Sequence, residues 1–389
     1  MSASNERFAD LLIVGAGILG LSAAIQAARA GLRVIVFEKD GAPVGATRRN
    51  FGMIGTSTLA HPENVWRQYA LASRQFYQEI QAQTDLSFAQ RDGVYLANNH
   101  EEWQILQEFA ALSPQHAIPS QLLSCNQIAA QYDYLDADLL QGGLLLREDY
   151  SVDPSRIGLA LLDYARSQPN IRILTSACAT GVASHPLNVS LTLADGHVYS
   201  AAKMLICHGA ATDILYPAQL KQAGLKRCTL QMARTQPFHR ALNASLYSGL
   251  SLRRYPAFEI CPSFATLMRV PIDPLVTDYG LHILIKQRDD GSLIIGDSHE
   301  YHDLSEPPQY NQREVLNDFI TDYCREQLGI VLPPIQERWN GEYLSHPSEL
   351  AWVTEPDPNI FLISAIAGKG MTTGPGFMAE VLQRHILNG

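Results

Sequence analysis

The sequence predicts an α/β fold: a Rossmann-like domain on a parallel sheet, with a second, mainly antiparallel-sheet domain inserted into it. Three observations carry this expectation. Residues 11–40, LLIVGAGILGLSAAIQAARAGLRVIVFEKD, read as strand, glycine turn, helix, strand and a terminal acid. Residues 88–97 and 226–300 break that pattern with strand-rich, irregular stretches. Near the C-terminus, NIFLISAI followed by AGKGMTTGPGFMAEVLQRHIL builds a second strand, glycine turn and helix.

Leu11 to Val14 form a continuous apolar run, as expected of a parallel strand buried on both faces. Gly15, Gly17 and Gly20 follow at the spacing G-x-G-x-x-G, the dinucleotide fingerprint. Gly15 permits the tight turn, Gly17 lets backbone approach a pyrophosphate, and Gly20 lets the helix pack closely on the sheet, so that the phosphates meet the helix N-terminus. The helix runs from Ile18 to Ala30, Gly31 stops it, and residues 33–37 form the second strand. Glu38 at the end of that strand can accept hydrogen bonds from both ribose hydroxyls, which suits the adenosine half of NAD or FAD and disfavours NADP.

The loop GAPVGATRRNFGMIG, residues 41–55, carries four glycines and the adjacent Arg48 and Arg49. Leading away from the ribose-binding acid, it should pass beside the cofactor, where one guanidinium can hold a carboxylate or planar dianion through two parallel bonds. A helix is expected over 62–84, a strand over 88–97 and a helix over 101–112. The second domain should start by about Leu86, and GGLLL at 142–146 should return the chain to the first. A helix over 154–168, a polar strand, the turn Asp195-Gly196 and the buried strand Met204 to Cys207 continue the first domain, with small residues 209–211 after it allowing close backbone approach. His208 reads as scaffolding. Asp290-Gly291 between alternating runs signals a hairpin. His282, Leu284 and Lys286 share one face of it, making His282 and Lys286 site candidates. The cluster Asp297, His299, Glu300, His302 and Asp303 matches no defined ligand spacing, so no metal is expected. A helix over 312–329 precedes Pro333-Pro334, read as a second boundary. The cofactor domain is thus placed at 1–85, 146–225 and 335–389, and the substrate domain at 86–145 and 226–334.

At 389 residues, 46% hydrophobic and 17% charged, the chain is large enough for two domains. Its net charge of -10, with no basic stripe, argues against nucleic acid. Six scattered Cys without a C-x-x-C pair argue for reduced thiols. The apolar stretch near the N-terminus is too short for a membrane span and no targeting signal is evident, so neither membrane association nor export is expected and the cytoplasm is favoured. At the other end, backbone N–H groups at Gly370, Met371 and Thr372, with the positive end of a helix, suit negative charge at the far end of a long cofactor. NAD folds do not need this return.

Together, GAGILG with Glu38, GATRRNFGM, LICHGA, IIGD, Trp339-x-Gly341 and GKGMTTGPG resemble the D-amino-acid oxidase superfamily of flavoproteins, which includes glycine oxidase and sarcosine oxidase, over nearly the whole chain. The resemblance implies an extended FAD. Gly15, Gly17, Ile18 and Gly20 would lie at its pyrophosphate, Glu38 and Lys39 at the ribose, and backbone near Ala179 at adenine. Residues 45–53, among them Thr47, Arg48, Asn50, Gly52 and Met53, would run along the flavin. Gly209 would close on the cofactor, and Gly368, Gly370, Met371 and Thr372 would face the flavin pyrimidine edge. Two departures bear on chemistry. Relatives that oxidise amino acids commonly carry an arginine after W-x-G to clamp the substrate carboxylate, where this chain has Glu342-Tyr343. No cysteine occupies the C-terminal flavin loop, so FAD should be non-covalent. RNFGM, GDSHEY and W-x-G-x-Y look like a bacterial branch associated with aminophosphonate breakdown. The expectation is an oxidase that passes a hydride from a small anionic amine, 2-aminoethylphosphonate or its N-methyl form, to flavin N5 and then to dioxygen. Arg49 would anchor the phosphonate, and His282, Lys286 and Tyr343 would complete the pocket. The alternatives are a glycine, sarcosine or D-amino-acid oxidase or dehydrogenase, an NAD-dependent dehydrogenase, and a non-catalytic flavin-binding protein.

Overall fold

The computed structural model describes residues 7–61 and 65–388. Its first sheet has five mutually parallel strands. Phe8–Val14 lies between Val34–Phe37 and Val198–Ile206, Ile171–Leu174 extends one side, and Ile360–Ser364 pairs with Val198–Ile206 on the other. Antiparallel strands Ala179–Ser184, Val189–Leu193 and Trp352–Asp357 complete eight strands among the described residues. Leu11 and Ile13 pack under the helix Ile18–Arg29, while Leu12 faces the opposite layer, which is why the run is apolar throughout.

The second sheet is mainly antiparallel. Lys226–Pro237 is its spine, pairing with Ser292–Gly296, Glu300–Asp303 and Ile335–Ser345. The Asp290-Gly291 turn closes the hairpin Leu284–Gln287 with Ser292–Gly296, Gly291 taking φ +82°. Observed helices Trp66–Gln81, His100–Leu112, Pro154–Arg166 and Glu314–Leu328 start and end no more than four residues from the expected bounds; residues 62–64 of the first expected helix lie outside the described residues.

Two boundaries differ from expectation. Gly142–Leu146 does not return to the parallel sheet but lies between Gly93–Ala97 and Ser120–Leu123 in the second one. Its leucines bury on both faces, Leu145 in one core cluster and Leu144 and Leu146 in another, so the apolar run marks a central strand of either sheet. Residues 335–345, assigned to the cofactor domain, pair along their length with the spine strand of the second sheet. The crossover follows them, at the isolated bridge of Ser345 to Ile366.

The C-terminal helix Gly370–Val381 sits against Trp66–Gln81 through a close approach. A Cβ on Gly376 would stand 2.3 Å from the Tyr69 carbonyl oxygen, and Ser73 Oγ accepts the Gly376 N–H at 2.9 Å. The fully buried Tyr77 donates its hydroxyl to Met371 O at 2.7 Å, which fixes the start of this helix against the sheet.

Candidate active site

A continuous cleft of about 740 Å³ is lined by both sheets. At one end Phe37 to Asp40 face Ala177 to Ala179, and the glycine turn and residues 43–53 form the middle. The far end lies between residues 363–372 and the second sheet's His282, Asp297, His299 and Tyr343.

The glycine turn has the geometry its spacing calls for. Gly15 takes φ +97°, and a Cβ there would stand 2.4 Å from the Cys207 carbonyl oxygen. A Cβ on Gly20 would stand 1.9 Å from Gly15 O, so the helix could not close on the strand. At Gly17 the nearest obstacle would be Thr47 Oγ1 at 3.3 Å, because that position opens on the cleft. Thr47 Oγ1 accepts the Ile18 N–H at 2.8 Å and so ties the following loop to the helix start. Glu38 is buried, with Oε2 accepting the Ala16 N–H at 2.9 Å and Oε1 accepting the Asp40 N–H at 3.0 Å. Each carboxylate oxygen keeps a lone pair for a ribose hydroxyl. The N–H groups of Gly370, Met371 and Thr372 lie in the first helical turn, where no intrahelical acceptor exists. A cleft with an acid at one end, a side-chain-free turn in the middle and orphan donors at the other fits an extended FAD.

Ile18, Lys39, Asn50, Gly52, Met53, Ala179, Gly209 and Gly368 also line the cleft, as do Arg49, His282 and Tyr343. Asn50 spends its amide on its own loop, donating to Ala46 O and Thr47 O and accepting from the Gly52 N–H. Three expected residues lie elsewhere. Gly20 packs inside the fold, and Arg48 is exposed away from the cleft. Lys286 lies behind the loop, donating to the carbonyl oxygens of Gly52 and Val152, and burial pushes its ammonium down to about 7. The cluster at 297–303 is dispersed: Glu300 pairs with Arg313, His302 with Glu306 and Asp303 with Lys226, while Asp297 and His299 meet His282.

Sequence reasoning missed two cations. Arg254 lines the cleft, donating to Tyr301 Oη at 3.2 Å, and Tyr301 and Tyr343 hydroxyls lie 3.2 Å apart. Lys369, inside the GKGM turn, holds its ammonium 5.3 Å from the Trp66 ring centre. Burial, reinforced by the charge of Arg254, lowers Lys369 to about 8. Arg49 Nε is buried with no acceptor. Among the described residues none of these three cations makes a side-chain ion pair, whereas Glu342 is taken up by Arg227, 2.6 Å away. Lys369 could have been singled out as a cation inside a glycine turn. Arg254 sits in LRRYP, which carries no local signal, and only the fold brings it to the cleft.

The sequence matches the FAD dependent oxidoreductase (DAO) family over residues 10–384. The chain belongs to that family. Among solved structures it is similar to glycine oxidase from Geobacillus kaustophilus, at 16% identity and TM-score 0.77 over 98% of this chain and 96% of that one. It is likewise similar to FAD-bound L-alpha-glycerophosphate oxidase from Mycoplasma pneumoniae, at 17% identity and TM-score 0.76 over 97% and 94%. Among curated proteins it is 24% identical to N-methyl-L-tryptophan oxidase of Yersinia pestis over 54% of this chain and 55% of that protein. With dimethylglycine dehydrogenase of Rattus norvegicus it shares 26% identity over 41% of this chain and 18% of that protein. The match thus spans about half of the first of these relatives and less than a fifth of the second. The family is one of FAD-dependent oxidoreductases, and the chain has the mixed α/β fold of the similar solved structures. Among the described residues no helix is long and apolar enough to cross a membrane.

Proposed function

We propose that this flavoenzyme oxidises a small primary or secondary amine carrying an anionic group, with 2-aminoethylphosphonate or its N-methyl form as the favoured substrate. The observation that carries the reading is the cleft's set of cations without carboxylate partners, Arg254, Lys369 and Arg49. Gathering like charges with only partial compensation, from Asp297 on Arg254, is costly, and a bound anion offsets the excess. A phosphonate brings more acceptor oxygens and charge than a carboxylate, and two guanidiniums with an ammonium match it better than they match one carboxylate.

Bound FAD would supply a two-electron acceptor at N5 for the hydride on the carbon bearing the amine. The resulting imine would take up water to give an aldehyde and ammonia, or methylamine from the N-methyl substrate, and dioxygen would receive the two electrons and two protons as hydrogen peroxide. The chain's part is positioning and field. Arg254 and Lys369 orient the anion, Tyr301 and Tyr343 steady Arg254, and the N–H groups of 370–372 favour negative charge on the cofactor's far edge. Relatives named for the oxidation of glycine and N-methyl-L-tryptophan support the amine class.

Stopped-flow flavin reduction at equal concentrations tests the substrate. 2-Aminoethylphosphonate should reduce the flavin faster than glycine, sarcosine or D-alanine, and Arg49→Lys should narrow that preference with FAD still bound. Faster reduction by sarcosine or D-alanine would replace the phosphonate with an ordinary small amino acid.

A further inference from the structure

We propose that Asp297 and His299 form the seat of the substrate's amine nitrogen, across the cleft end from the cations that take its anion; the proposal rests on the anionic-amine reading above. The two residues follow the strand Ser292–Gly296, and mutual backbone hydrogen bonds between Asp297 and His282 lock them to the neighbouring chain at 2.9 and 3.2 Å. All three side chains are buried and line the cleft.

Their hydrogen bonding leaves acceptors without donors. His299 Nδ1 lies 3.2 Å from Gly280 O, and a carbonyl can only accept, so the ring proton sits on Nδ1 and Nε2 presents a bare lone pair. That lone pair faces Asp297 Oδ2 at 3.9 Å. His282 Nε2 lies 3.0 Å from Asp297 Oδ1 and holds that oxygen, while Asp297 Oδ2 meets no donor among the described residues. His282 Nδ1 is engaged by Ser251 Oγ at 3.1 Å. Two acceptors 3.9 Å apart repel until a donor bridges them, and a nitrogen set to one side of the line that joins them, about 2.9 Å from each, does so. An amine carries two or more N–H donors on one atom, the shape this gap takes.

The surrounding charge agrees. Burial, then the charges of Arg254 and His282, and further off Lys369, hold His299 well below the ordinary imidazole range, so it stays a neutral acceptor. The charges of Arg254 and Lys369 oppose the pull of the Asp297 carboxylate toward an ammonium, and it is the neutral amine that can release a hydride. Two imidazoles and a carboxylate also make a metal-ligand set. A divalent cation would add charge beside Arg254 and Lys369 with only Asp297 to offset it, so the observations favour the amine.

The test compares ligands with and without the nitrogen on the FAD-loaded protein. Perturbation of the visible flavin spectrum gives the affinity for ethylphosphonate, and the concentration dependence of anaerobic reduction gives that for 2-aminoethylphosphonate. Asp297→Asn keeps the shape, and His299→Asn keeps a donor for Gly280 O. Each should weaken 2-aminoethylphosphonate by about tenfold or more while leaving ethylphosphonate within about twofold. Arg254→Gln should weaken both ligands. Equal weakening of both by Asp297→Asn and His299→Asn, or of neither, would overturn the seat, as would a stoichiometric divalent metal that survives chelation in wild type. If wild type prefers sarcosine and acetate to the phosphonate pair, the substrate reading fails separately, and the same ratio on that pair decides the seat.

Discussion

Gly17 and Gly20 stand three residues apart and respond to substitution in opposite ways. Gly20→Ala drives a methyl group into Gly15 O and should cost about 1–3 kcal/mol of stability or more, read as a lower melting midpoint. Gly17→Val meets only Thr47 Oγ1 in the protein, so the apoprotein should melt near wild type and yet retain no flavin, because the branched side chain fills the pyrophosphate's place. A yellow, stoichiometric Gly17→Val protein would contradict that placement. Lys369 gives a pH prediction. Its lowered value near 8 means that the ammonium is present below that pH and lost above it. The affinity for an amine-free anion should therefore fall as pH rises through about 8 and become insensitive in that range in Lys369→Met. Single residues were legible where spacing carried the chemistry, as in G-x-G-x-x-G and Glu38. Arg254 was not, because its role comes from tertiary proximity alone.

The loop at residues 45–53 is held at both ends, by Thr47 on the helix start and by Lys286 on the carbonyl oxygens of Gly52 and Val152. Lys286→Met leaves both carbonyls without that donor, and losing hydrogen bonds of about 0.5–1.5 kcal/mol each should weaken FAD binding about fivefold or more. Flavin affinity measured by apoprotein titration checks this, and unchanged affinity would make Lys286 only a filler. At the opposite end, Thr372→Pro removes one orphan N–H of the helix Gly370–Val381; loss of a single preorganised donor, worth about 3 kcal/mol, should slow flavin reduction on the order of a hundredfold. Elements with clear periodicity or a turn dipeptide could be read from the sequence, the Asp290-Gly291 hairpin among them. Residues 142–146 and 335–345 could not be assigned to a sheet, because an apolar or mixed strand does not record which neighbour it pairs with.

At the scale of the molecule, the dinucleotide-type half was readable from both of its glycine turns, which lie more than three hundred residues apart and meet in one cleft. The second sheet supplies the other wall of the cleft, where the proposed substrate would lie, and its pairing of Lys226–Pro237 with Ile335–Ser345 carries Tyr343 to the cleft beside His299 and Tyr301. Non-local pairing of this kind leaves no pattern in a single sequence, and the substrate side was accordingly the less legible half. The absence of cysteine in residues 364–376 leads to the expectation that acid precipitation releases all the flavin, with colour remaining in the pellet as the contrary result. The central claim, an amine-oxidising flavoenzyme, is tested most directly by anaerobic mixing of the purified yellow protein with small anionic amines. The account predicts that the oxidised flavin band bleaches, with one aldehyde and one ammonia or methylamine formed per flavin reduced. An oxidised spectrum that persists with every amine in the panel would contradict it.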